Sequence, residues 1–145
     1  MKIIITGGLG FIGSHLAEKL CQKNDVVIFT KSFSKINNIK KFRNKIKIEK
    51  IDVTNFSKFG SSIKKHKPNM IIHLAGITSH SASFDSPLLD VDSNAKSTLF
   101  ILETIRKLNL KCKFILGSTF IVIGRPDKLP VNENSICNPT TIYGT

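Results

Sequence analysis

Two hydrophobic rhythms alternate along this chain: short unbroken apolar runs, and longer segments with apolar residues every three to four positions. The runs predict strands. Lys2–Ile5 reads as a buried strand, Val26–Phe29 as a second and Met70–Leu74 as a fourth, while Phe114–Leu116 begins a fifth. Lys45–Ile51 alternates lysine or glutamate with isoleucine, the period of a half-exposed edge strand. Helical spacing fills the gaps. Phe11–Lys23 carries Ile12, Leu16 and Leu20 at i, i+4 and i+8, and the turn Asn24-Asp25 follows it. Asn55 can cap a helix with Phe56, Phe59 and Ile63 on one face. Ser86-Pro87 suits a long helix, with Ser as N-cap and Pro at the first helical position. Leu88, Val91, Ala95, Leu99, Leu102 and Ile105 form its apolar stripe, predicted to face the core. Ser34–Phe42 is polar and lysine-rich, compatible with a short helix.

Strand and helix alternating in this way predict an α/β fold: a Rossmann-type, doubly wound parallel sheet with helices on both faces, in one domain over 1–145. In such a sheet ligands sit beyond the carboxyl ends of the strands. The segments there are Gly7–Gly13, Thr30–Ser32, Asp52-Val53, Ala75–Ser83 and Ser118-Thr119, the polar or glycine-rich breaks between apolar runs. One site built from five separate loops is therefore expected.

Composition narrows the class. With 41% hydrophobic residues in 145, the chain can bury one core. No apolar run reaches the length of a membrane span, and the N-terminus enters a strand directly, without a signal-peptide pattern. Three widely spaced cysteines, Cys21, Cys112 and Cys137, match no disulfide framework and no metal spacing, so free thiols in a reducing cytoplasm are expected. The net charge of +12 raises the question of nucleic acid. Many of the lysines, however, fall between Lys31 and Lys67 on solvent faces of helices and loops, with no interleaved aromatics for base stacking. A lysine-rich surface that attracts phosphorylated small molecules is the expectation, with neither nucleic acid nor membrane as partner.

The chemistry concentrates first at Thr6-Gly7-Gly8-Leu9-Gly10-Phe11-Ile12-Gly13-Ser14, between the first strand and the first helix. This is the arrangement a dinucleotide pyrophosphate needs. Gly7 permits the tight turn, Gly10 lets backbone N–H groups approach phosphate, and Gly13 lets the helix pack closely on the sheet. The helix start then offers unpaired donors and a positive dipole end to the anion.

The residues also resemble a known family: the extended branch of the short-chain dehydrogenase/reductases, the epimerases and dehydratases of nucleotide sugars. The resemblance runs through all 145 residues in order. Thr6–Gly13 is similar to that branch's cofactor fingerprint, with Phe11 and Ile12 inside it. Asp52-Val53 resembles its adenine-contacting pair, and His73-Leu74-Ala75-Gly76 the motif ending its fourth strand. Asn94 falls where the family keeps an asparagine. Ser118-Thr119 before Gly124 resembles the catalytic Ser/Thr segment, with Thr119 favoured by spacing. Tyr143-Gly144 resembles the start of a Tyr-x-x-x-Lys motif. His73 reads as a packed strand-end residue. The resemblance implies that NAD or NADP is held by Gly7, Gly10, Phe11, Ile12, Gly13, Thr30, Lys31, Asp52, Val53, Leu74, Ala75, Gly76 and Asn94, with Thr119, Tyr143 and Ser118 at the chemistry. Tyrosine, with an ordinary pKa of about 10, is a poor base at neutral pH. A lysine one helical turn on, together with the oxidised nicotinamide, favours phenolate.

Two departures stand out. NAD-preferring Rossmann proteins place an acid at the end of the second strand. Here Phe29-Thr30-Lys31-Ser32 has none, and Lys31 could receive a 2′-phosphate, a slight lean to NADP. The sequence also stops at Thr145, before the lysine four residues past Tyr143 and before any substrate domain. The expectation is a truncated, cofactor-binding part of a longer enzyme, inactive alone, whose full-length form is a homodimer acting on a nucleotide sugar. An NADPH-dependent carbonyl reductase and a non-catalytic dinucleotide sensor are the alternatives.

Overall fold

The computed structural model describes the backbone of residues 1–145 and every side chain except those of His80 and Ala82. Five parallel strands lie in the order β3-β2-β1-β4-β5, made of β1 (Lys2–Thr6), β2 (Asp25–Thr30), β3 (Ile46–Lys50), β4 (Met70–His73) and β5 (Lys113–Leu116). The helices are α1 (Phe11–Leu20), α2 (Phe56–His66), α3 (His80–Asp85), α4 (Pro87–Val91) and α5 (Ser97–Lys107). A kinked 3₁₀ segment fills Ile36–Lys45, and short 3₁₀ turns lie at Phe120–Ile123 and Ile142–Gly144.

Strand alternation splits the core in two. Ile3, Ile5, Val26, Ile28 and Ile72 point to one face, where α1 and the 3₁₀ segment bring Ala17, Ile39 and Phe42. Ile4, Val27, Phe29 and Ile71 point to the other, against Phe59 and Ile63 of α2 and Ile101 of α5. Central strands covered on both faces need unbroken apolar runs, which is why β1 and β2 read as they do. The edge strand β3 is the half-exposed ladder its alternation predicts. Its Glu49 is held by Lys65 at 2.7 Å and His66 at 2.9 Å. Burial raises the Glu49 pKa, but hydrogen bonds from Lys65, His66 and Ser62 outweigh it and bring the carboxyl to about 2.

Asn55 caps α2 as expected, accepting from Lys58 N–H at 3.1 Å. Ser86 stands at the N-cap before Pro87, but its side chain makes no cap hydrogen bond. The predicted long helix is present in three joined parts: α4, a π-helical turn at Asp92–Lys96, and α5. Of its predicted apolar stripe, Ile105 packs on the core, but Leu88, Leu99 and Leu102 are exposed, and the buried residues of the helix are Asp90, Ser93, Ser97 and Ile101. Ser97 hydrogen-bonds to His73 at the end of β4, at 2.9 Å, a role that hydrophobic periodicity does not register. No helix among the described residues is long and apolar enough to cross a membrane.

Candidate functional site

The loop after β1 is shaped by glycine. Gly7 has φ +66°, and a Cβ there would lie 2.9 Å from the backbone nitrogen of Ala75. Gly7 N–H donates to the Phe29 carbonyl at 2.9 Å and Gly10 N–H to the Gly7 carbonyl at 2.9 Å, which closes the turn. A Cβ on Gly13 would meet the Gly7 carbonyl oxygen at 2.6 Å, so this glycine packs the helix on the loop itself. Contact with the sheet falls instead to Gly8, whose Cβ would meet the Ile28 side chain at 2.7 Å, a role the sequence reading gave to Gly13. Gly10 is different. Its backbone is extended, and only the Gly7 carbonyl stands near its missing Cβ, at 3.1 Å. No side chain caps α1 and no acid lies in its first turn, so the helix brings no negative group of its own to its N-terminal donors. Phe11 and Ile12 belong to this first turn; their side chains are exposed, and they bring backbone only.

A cavity of about 340 Å³ opens beside this loop. Gly7, Gly10, Thr30, Lys31, Asp52 and Val53 line it, as do Leu74, Ala75 and Gly76. Ser32, Ser34 and Lys35 join them, the latter two from a stretch read in the sequence only as polar and lysine-rich. Lys31 and Lys35 make this wall basic, with Asp52 the one acid lining it among the described residues. Asp52 Oδ1 accepts from both the N–H and the hydroxyl of Thr54, at 3.0 and 2.8 Å. Thr30 turns its hydroxyl back onto the Ser32 carbonyl at 2.7 Å, which fixes the loop that carries Lys31. Val53 is also a core residue.

A second cavity of about 350 Å³ lies at the ends of β4 and β5. Ser118, Thr119 and Tyr143, far apart in sequence, all line it, together with Asn94 and Asp90. Thr119 is half-buried and Ser118 exposed, consistent with opposite directions along the strand end. Thr119 Oγ1 accepts from Ile121 N–H at 3.3 Å. The segment Leu74–Thr78 borders both cavities and is the wall between them.

His73 stays structural. Thr6 Oγ1 accepts from Leu74 N–H and Ala75 N–H, both at 3.1 Å, so its own proton goes to His73 Nδ1 at 2.7 Å. His73 Nε2–H then donates to Ser97 Oγ at 2.9 Å, and Ser97 donates to the Ser93 carbonyl at 2.6 Å. The chain of donors runs one way and needs a neutral imidazole. Burial agrees with it, lowering the His73 pKa to about 4. This relay ties the strand before the glycine loop to the helix that carries Asn94.

A parallel doubly wound sheet with a glycine turn at its first crossover defines a dinucleotide-binding class of domain. The sequence profile of the GDP-mannose 4,6 dehydratase family matches residues 4–145. CDP-paratose 2-epimerase from Salmonella typhi is 34% identical over 138 residues, which cover 92% of this chain and 41% of that protein. The solved UDP-glucose 4-epimerase of Thermotoga maritima, a complex with UDP-glucose, superposes with a TM-score of 0.87 at 30% identity, over 99% of this chain and 47% of its own. That of Brucella ovis, a complex with NAD, gives 0.85 at 25% identity, over 99% and 43%. The chain belongs to the GDP-mannose 4,6 dehydratase family, among the extended short-chain dehydrogenase/reductases, and corresponds to their N-terminal, cofactor-binding part. It spans less than half the length of these relatives.

Proposed function

We propose that this chain binds a nicotinamide dinucleotide across its two cavities and serves a nucleotide-sugar epimerase or dehydratase. The observation that carries the proposal is the glycine cradle. Side chains at Gly7 and Gly13 would collide with backbone, while a Cβ at Gly10 would meet only the Gly7 carbonyl, at 3.1 Å, just before an uncapped helix start. The pyrophosphate fits against Gly10 and the first turn of α1. The adenosine end lies between Thr30–Lys31 and Asp52-Val53, and the nicotinamide end passes the Leu74–Gly76 wall into the second cavity.

The bound dinucleotide supplies a hydride acceptor that later returns the hydride. Tyr143 takes the proton of the sugar hydroxyl as the hydride leaves its carbon, and gives it back on return. Thr119 already accepts from Ile121, which fixes its hydroxyl, and donates its proton to the reacting oxygen. Ser118 borders the same space. For cofactor choice, Lys31 and Lys35 beside Ser32 and Ser34 can receive a 2′-phosphate, and no acid ends β2 to accept from a ribose hydroxyl. These residues favour NADP slightly, although the Brucella ovis relative was solved with NAD. A homodimer belongs to the same proposal, with the exposed Leu88, Leu99 and Leu102 as its contact face.

NMR titration of the labelled chain with NAD and with NADP tests this reading. Shifts should gather at Gly7–Gly13, Asp52-Val53 and Leu74–Gly76. Shifts confined to the lysine-rich surface of α2 and β3 would refute it.

A further inference from the structure

Asp90 is the buried acid of this chain: among the described residues no other Asp or Glu is buried, and it is 2% exposed. Its Oδ1 accepts from Asn94 Nδ2 at 2.7 Å, one helical turn on. Its Oδ2 is sealed from solvent without a hydrogen-bond partner. A half-satisfied buried carboxylate costs stability, and an apolar residue of similar size would pack there at lower cost. Local rules are broken in this way chiefly where function requires it.

The bonded oxygen shows what is gained. Asn94 lies in the π-helical turn, and its amide grips one residue twice. Asn94 Oδ1 accepts from Ile77 N–H at 3.0 Å, and Nδ2 donates to the Ile77 carbonyl at 3.1 Å. Turned over, the same amide would set N–H against N–H and oxygen against oxygen. Asp90 locks the working orientation, because a carboxylate only accepts. Gly76 packs so closely on the Asn94 amide that a Cβ would overlap its oxygen. Ile77 and Gly76 belong to the wall between the two cavities.

We propose that Asp90 is a positioning residue for the dinucleotide: through Asn94 it fixes the Gly76–Ile77 wall where the bound molecule crosses from the first cavity to the second. The proposal rests on the dinucleotide reading above. Two variants separate it from a merely structural role. Asp90→Leu removes the acceptor and the buried charge. Asp90→Asn keeps an acceptor oxygen. Amide exchange at Ile77, urea stability and NAD affinity are measured for each.

Asp90→Leu should exchange Ile77 N–H roughly tenfold faster and bind NAD roughly tenfold more weakly, the scale of one hydrogen bond to a charged group, with no loss of urea stability. Asp90→Asn should stay within about twofold of wild type in exchange and affinity. If Asp90→Leu does not fold, Asp90→Ala carries the same two expectations for exchange and affinity. Wild-type exchange or wild-type affinity in the variant lacking the acceptor overturns the proposal. So does an Asp90→Asn protein that loses as much binding as Asp90→Leu. If wild type itself binds no dinucleotide, the functional reading fails, and exchange at Ile77 still decides whether the lock exists.

Discussion

Acidifying the protein should expose the His73 relay as a stability term. In the unfolded chain this imidazole takes a proton near pH 6.5, and in the fold burial lowers that to about 4. The sign follows directly. The unfolded state binds the proton more readily, so stability is complete above pH 6.5 and falls as the pH drops towards 4. The difference of about 2.5 in pKa, at about 1.36 kcal/mol for each unit, corresponds to a loss of about 3 kcal/mol. The geometry says why the fold resists. Both lone pairs of Thr6 Oγ1 are taken by Leu74 and Ala75, so a protonated Nδ1 would meet a donor. His73→Gln supplies the control, since it cannot titrate while the other histidines still do. Urea unfolding followed by circular dichroism at pH 7 and pH 4 gives both losses. Wild type should lose about 3 kcal/mol more than His73→Gln over this range. Equal losses would mean that His73 is not held neutral, and the directional relay would be refuted.

Gly13→Val should destabilise the fold by about 1–3 kcal/mol in urea unfolding, because its side chain must displace the Gly7 and Gly8 backbone. An unchanged midpoint would show that the loop is not packed as described. Lys31→Asp should weaken NADP more than NAD, and an unaltered affinity ratio would make Lys31 an ordinary surface lysine. Where turnover is measurable, Tyr143→Phe should lower kcat by about 10²-fold or more, with cofactor affinity little changed. Thr119→Ala should cost less and Thr119→Ser almost nothing, and a silent Tyr143→Phe would remove the proposed base.

The sheet was legible because its central strands are covered on both faces. Ile3–Ile5 and Val26–Phe29 can be little else, and β1 and β2 extend the predicted strands by only a residue at an end or two. The glycine loop was legible because its spacing and its place between strand and helix are local. The helix from Pro87 was found, but its inward face was not. Periodicity assigns the largest apolar residues to the core, whereas here Ser97 reaches His73, Ser93 is buried behind it, and Leu88, Leu99 and Leu102 stay exposed. The π turn at Asp92–Lys96, which carries Asn94, leaves no mark in a 3.6-residue pattern. Asn94, singled out as a site residue, lines the second cavity while its amide holds Ile77 and Asp90. Asp90 had one sequence signal, its place four residues before Asn94, and that spacing has meaning only once both are known to be buried. Thr119 and Tyr143 share a cavity through a loop of more than twenty residues. Only the family resemblance, and no local pattern, could pair them.

Calorimetric titration of wild type and Gly10→Val with NAD and NADP decides whether the loop Gly7–Gly13 receives the pyrophosphate of a dinucleotide. The backbone at Gly10 is extended, with only the Gly7 carbonyl near the missing Cβ, so valine should leave the fold largely intact while filling the space a phosphate needs. Saturable binding by wild type, weakened at least about tenfold in Gly10→Val with the urea midpoint little changed, is the predicted result. Equal affinity in the two folded proteins, or no binding by wild type, would contradict it.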